Sequence, residues 1–131
     1  MIVDDDKTSL TLYERLLVRE GHQVSTRDRA FGTAPAIMKA RPDIVLLDVH
    51  MPGLDGTEIV RVFRERGEGE RPLLLLFSHQ ALADVQQAAM ACGADGALVK
   101  GADPKEFLVG FRTLVVQHLS RRNSAPTSDG F

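Results

Sequence analysis

Asp48 ends a run of four apolar residues, Ile44-Val45-Leu46-Leu47, and Val-His-Met-Pro-Gly-Leu-Asp-Gly follows it at 49–56. Three other apolar runs end on polar residues in the same way. Asp4-Asp5-Asp6 follow Ile2-Val3, Ser78 follows Leu73 to Phe77, and Lys100 follows Ala97-Leu98-Val99. Carboxylates about 5 Å apart at an effective dielectric near 20 repel by roughly 3 kcal/mol per pair. Asp4, Asp5 and Asp48, if they share a pocket, must therefore hold protons or recruit a cation. An all-oxygen donor set without His or Cys side chains favours a hard ion, and so sparse a protein set suits Mg²⁺ with retained waters, or Mn²⁺ in its place. Lys100 and the Ser78 hydroxyl add a positive charge and a donor able to hold an anion beside the metal. Carboxylate, metal, lysine and hydroxyl together are the parts of phosphoryl transfer onto an aspartate.

The elements that must position these groups follow from the apolar pattern. A short continuous apolar run bounded by turn residues reads as a strand buried on both faces, as in a parallel sheet. Such runs occupy 44–47 and 73–77, with shorter ones at 1–3 and 97–99 and a weak strand at 22–26. The brevity of Met1-Ile2-Val3 suggests that residues once preceded it. Helical spacing places Leu10, Tyr13, Leu16 and Leu17 on one stripe, closed by Gly21. Further helices are predicted over 34–41, with Pro35 in the first turn, over 57–66, with Ile59, Val60, Val62 and Phe63 inward, and over 81–92, stopped by Gly93. The loop 67–70 ends the 57–66 helix. A last helix begins at Pro104, with Phe107, Leu108, Phe111, Leu114, Val115 and Leu119 as its stripe. Five strands alternating with five helices imply an α/β fold, a doubly wound five-stranded parallel sheet with helices on both faces, flavodoxin-like with order 2-1-3-4-5. In such sheets ligands bind at the carboxyl ends of the strands, where all four polar groups lie.

Composition narrows the class further. The 131 residues suit one domain, and 16 Lys and Arg against 18 Asp and Glu leave a net charge of −2, which argues against nucleic acid as the main partner. No apolar stretch approaches a membrane span and no export signal is evident, so the expected location is the cytoplasm. The single Cys92 fits a reducing compartment and a buried site. Residues 120–131 turn polar and read as a flexible tail or linker after a domain at 1–119.

Each polar group has a blander reading. Asp4 to Asp6 can cap a helix, Ser78 can do the same, and Lys100 can be a solvated surface lysine. All would have to be accidental at once.

The chain resembles the receiver domain of bacterial two-component response regulators over about 1–119. The resemblance rests on VDDD at 3–6, LLDVHMPGLDG at 46–56, LFS at 76–78 and VK at 99–100. It implies that Asp48 is the phosphoacceptor, attacking the phosphohistidine of a sensor histidine kinase or phosphotransfer protein. It implies Asp5 as the direct Mg²⁺ ligand, Asp4 as the acid holding the metal through water, and the main-chain carbonyl of His50 as the third ligand. Ser78 matches the hydroxyl that turns toward the phosphoryl group and Lys100 the lysine that pairs with it. Asp6 matches a helix cap, while Asp55 and Gly56 match a structural turn. The domain would catalyse only its own phosphorylation and dephosphorylation. It would pass the signal to an effector domain, a partner or a second copy through the last two helices or the fourth helix and fifth strand, without touching nucleic acid or membrane itself.

Three residues depart from the family pattern. Gly101 follows Lys100 where a proline in a cis peptide is usual, which implies a looser loop. Ala97 stands where many members have Tyr or Phe. His79 follows Ser78 where a small residue is usual, so its imidazole could crowd the phosphate, and the His50 side chain is expected to overhang the site. Two other functions compete. Residues 4–8 also fit the Asp-x-Asp-x-Thr pattern of haloacid-dehalogenase-like phosphatases, with Asp4 as nucleophile and Asp6 as acid/base. Alternatively, the fold is a receiver-like binding module that is never phosphorylated.

Overall fold

A computed structural model describes residues 1–65, 71–101 and 103–124. Strands β1 (Ile2–Val3), β2 (Thr26–Arg27), β3 (Ile44–Asp48), β6 (Leu73–Ser78) and β7 (Gly96–Val99) form one parallel sheet in the order β2-β1-β3-β6-β7. Counting these sheet strands alone, the order is the predicted 2-1-3-4-5. A two-stranded antiparallel hairpin, β4 (His50–Met51) with β5 (Leu54–Asp55), follows β3, a feature that the apolar pattern does not predict. Among the described residues, four helices connect the strands and a fifth follows the last: α1 (Lys7–Arg19), α2 (Thr33–Ala40), α3 (Gly56–Glu65) and α4 (Leu82–Cys92), then α5 (Pro104–Ser124).

Side chains alternate along the strands, so each strand feeds two layers. Val45 and Leu47 of β3 and Leu74 and Leu76 of β6 point to one layer, where Ile37 of α2, Ile59, Val60 and Phe63 of α3, and Val85, Ala89 and Cys92 of α4 meet them. Leu46 of β3 and Leu73, Leu75 and Phe77 of β6 point the other way, onto Leu10, Tyr13 and Leu17 of α1 and Phe107 and Phe111 of α5. Burying β3 and β6 on both faces is what their uninterrupted apolar sequence requires.

Several boundaries differ from expectation. The second strand is the two-residue Thr26–Arg27 rather than 22–26, because it is a half-exposed edge strand whose pairing with β1 spans only Ile2 and Val3. Val62 of α3 and Leu119 of α5 lie on solvent-facing sides, 40% and 51% exposed, so the apolar stripes of both helices are narrower than predicted. Helix α5 continues to Ser124, past the composition change at Ser120; 125–131 and the predicted loop 67–70 lie outside the described residues. Among the described residues, no helix is long and apolar enough to cross a membrane.

Candidate functional site

The register of the sheet gathers the polar groups. Val3 pairs with Leu47, and Asp48 pairs with Phe77, so Asp4, Asp48 and Ser78 emerge together at the carboxyl ends of β1, β3 and β6. Lys100 leaves β7 beside them, its amide donating to the Ser78 carbonyl at 2.8 Å. Asp4, Asp48 and Lys100 are buried, and Asp5 faces solvent at the mouth.

Carboxylate oxygens of Asp4, Asp5 and Asp48 lie within 4.8 Å of one another. Lys100 Nζ sits 2.6 Å from Asp4 Oδ2 and 3.1 Å from Asp48 Oδ2, bridging two buried acids with one ammonium. Asp4 Oδ1 accepts from the Asp6 amide at 3.0 Å, and Asp48 Oδ1 from the His50 amide at 3.2 Å. Burial pushes the Asp48 carboxyl above the ordinary aspartate range, against the opposing pull of the Lys100 ammonium and the His50 amide. Asp4 Oδ2 is buried with no well-formed hydrogen bond, only the charge of Lys100 beside it.

That imbalance is the test of whether a cation fits. One lysine faces three carboxylates, the donors are all oxygens, and the most exposed acid stands at the entrance. A hard divalent ion satisfies each condition. Asp4, Asp5 and Asp48 are the acids that would hold it.

Local chemistry explains the surrounding turns. Asp6 caps α1, accepting from the Thr8 amide and the Ser9 hydroxyl at 3.0 Å each. The Ser9 hydroxyl and then the Thr8 amide hold the Asp6 carboxyl below its ordinary range. Asp55 accepts from the Thr57 amide at 2.9 Å at the start of α3. At Gly56 a Cβ would lie 2.5 Å from the Asp48 carbonyl oxygen, so only glycine lets α3 begin this close to the end of β3. The Ser78 hydroxyl is buried and accepts from the Gln80 amide at 3.1 Å; α4 starts later, at Leu82, so Ser78 is not its cap. The side chains of His50 and His79 are exposed. The α-carbon of Gly101, at φ 79°, faces His79, whose Nδ1 would be 3.7 Å from a Cβ there.

The sequence marks one neighbour of the site only as a core residue. Tyr13, buried in α1, accepts a hydrogen bond on its hydroxyl from the Gly101 amide at 3.0 Å. Its ring meets Phe77 edge-on at 4.6 Å between centroids, and Lys100 Nζ lies 5.4 Å from the centre of the Phe77 ring. The available sequence signal was the free N–H that Gly101 offers where proline would have none.

Sequence and fold both have relatives among known proteins. The family model of the response regulator receiver domain matches residues 1–111. The chain is 34% identical over 100 residues to the transcriptional regulatory protein AfsQ1 of Streptomyces coelicolor, covering 76% of this chain and 43% of that protein. It is 31% identical over 130 residues to the sensor protein GacS of Pseudomonas syringae, covering 96% of this chain and 14% of that one. The signal receiver domain of a response regulator from Bermanella marisrubri superposes with a TM-score of 0.74 at 31% identity, covering 87% of this chain and 94% of that structure. The chain belongs to the receiver domain family of two-component response regulators. It spans less than half the length of AfsQ1 and of GacS. Neither the phosphatase nor the unphosphorylated binding module is favoured by these relatives. The family's role is signalling, and receiver domains in general bind Mg²⁺ at an acidic pocket such as this one.

Proposed function

We propose that the domain accepts a phosphoryl group on Asp48 from a phosphohistidine of a sensor histidine kinase or phosphotransfer protein, with Mg²⁺ or Mn²⁺ held by Asp4, Asp5, Asp48 and the His50 carbonyl. The observation that carries this is the single buried ammonium of Lys100 lying between Asp4 and Asp48 at 2.6 and 3.1 Å, beside the open acid Asp5. A carboxylate oxygen of Asp48 forms the new O–P bond while the P–N bond breaks, and the imidazole nitrogen leaves with the electron pair and takes a proton. The cation neutralises phosphoryl charge when bound. Asp48 acts as its carboxylate; Lys100 and the His50 amide favour that form but only partly oppose its burial, which favours the protonated one. Lys100 then exchanges part of its contact with Asp48 for a phosphoryl oxygen, and the Ser78 hydroxyl leaves the Gln80 amide to donate to another. The reactions the domain promotes are its own phosphorylation and dephosphorylation. Residues 1–119 act as the receiver unit and 120–131 as the connection to an effector or as a tail. The output is a partner, an effector domain or a second copy, in the cytoplasm, without contact of this domain with nucleic acid or membrane.

Incubation with Mg²⁺ and acetyl phosphate, or with beryllofluoride, followed by mapping of the modified carboxylate, tests the assignment. Adduct on Asp48, abolished in Asp48→Asn, is the expected result. Adduct on Asp4 would establish the phosphatase chemistry, and none at all the binding module.

A further inference from the structure

We propose that the Tyr13 hydroxyl is a positioning group for Lys100, latching the loop after β7 through the Gly101 amide in place of the proline that receivers usually carry there. The inference rests on the reading of Lys100 as the cation that meets the phosphoryl group. Lys100 is held at both flanking peptides. Its own amide donates to Ser78 O at 2.8 Å, and the next amide, that of Gly101, donates to Tyr13 Oη at 3.0 Å across 88 residues of sequence. Between those two ties the Cα–Cβ direction of Lys100 has little freedom, so its long side chain starts from a fixed base. Gly101 turns at φ 79°, a conformation open to glycine and closed to proline, whose φ is near −65°. Proline would also lack the donor that the latch uses.

The tyrosine reaches the lysine by a second path. Its ring packs on Phe77 at nearly a right angle, Phe107 packs on both at 4.7 and 5.6 Å, and the Phe77 ring lies 5.4 Å from Lys100 Nζ. Burial of Lys100 depends on these rings, while the position of its backbone depends on the hydroxyl. Tyr13→Phe separates the two, since it deletes the acceptor and keeps the aromatic packing.

Three measurements on the whole chain test the latch: amide hydrogen exchange at Gly101, the rate of Asp48 labelling by acetyl phosphate, and Mg²⁺ affinity by calorimetry. In Tyr13→Phe the Gly101 amide is expected to lose its protection and labelling to slow about fivefold, the loss of one neutral hydrogen bond's worth of positioning. Mg²⁺ affinity is expected not to fall, because the three carboxylates are untouched and a loosened Lys100 competes less for them. General damage to the fold would lower affinity and labelling together, and that outcome overturns a positioning role. So does labelling at the unsubstituted rate, or a Gly101 amide that exchanges freely in the unsubstituted protein, a result that needs no variant. Absence of any label on Asp48 in the unsubstituted protein would instead overturn the phosphoacceptor reading, and the inference with it.

Discussion

The two sides of the sheet are built from different materials. The layer under α2, α3 and α4 is aliphatic, with Phe63 as its one buried ring among the described residues. The layer under α1 and α5 holds Tyr13, Phe77, Phe107 and Phe111 in continuous ring contact, and that chain of rings ends beneath Lys100. Ala97, at the place where many receivers carry Tyr or Phe, packs on the aliphatic side. The aromatic contact with Lys100 is therefore made by Phe77 of β6, backed by Tyr13 of α1 and Phe107 of α5, rather than from the α4 side. Both layers supply buried apolar surface, while the rings that reach the lysine lie in only one of them.

Breaking each layer in turn should expose that division. Phe77→Ala removes a fully buried ring and should cost about 3–5 kcal/mol, with labelling of Asp48 slowed as well because the surface under Nζ is gone. Leu76→Ala, one residue earlier and pointing to the other layer, should cost about 2–5 kcal/mol with labelling per folded molecule retained. Urea unfolding combined with timed labelling measures both. Equal slowing in the two variants would erase the distinction.

Asp48 offers a gentler probe. Burial raises its pKa in the folded chain, so ionisation costs the native state more than the unfolded one. The stabilisation is present below the unfolded value, about 3.9, and is lost as pH rises through the higher folded value. Asp48→Asn, which cannot ionise, should melt above the parent protein at neutral pH without metal, and the gap should close on acidification. A gap independent of pH would contradict the raised pKa. The smallest effect is expected at the edge of the aromatic layer, where Arg112 of α5 pairs with Glu20 after α1 in an exposed contact. Glu20→Gln should cost about 0.2–1 kcal/mol and less in high salt. A larger cost in denaturant titration would show that this clasp helps to seat α5.

The legible parts of the molecule were those with local causes. β3 and β6 could be read because strands buried on both faces have uninterrupted apolar sequence, and Asp4, Asp5, Asp48, Ser78 and Lys100 could be grouped because each ends such a run. The edge strand at Thr26–Arg27 has no such signal, being short and half exposed. The β4–β5 hairpin was hidden inside what reads as a loop, since two residues per strand leave no period to detect. Val62 and Leu119 show that helical spacing marks a stripe without saying how wide a neighbour will cover it. Tyr13 was legible as core and illegible as a tie to the pocket, because its hydroxyl finds its donor 88 residues away.

Tyr13 has one more consequence, which is optical. The chain contains a single tyrosine and no tryptophan. Its near-ultraviolet absorption and emission above the phenylalanine bands therefore come from one phenol, and that phenol is hydrogen-bonded to the loop that carries Lys100. The protein holds its own chromophore at the joint between helix α1 and the pocket, so ligation there can be followed by light without adding a dye.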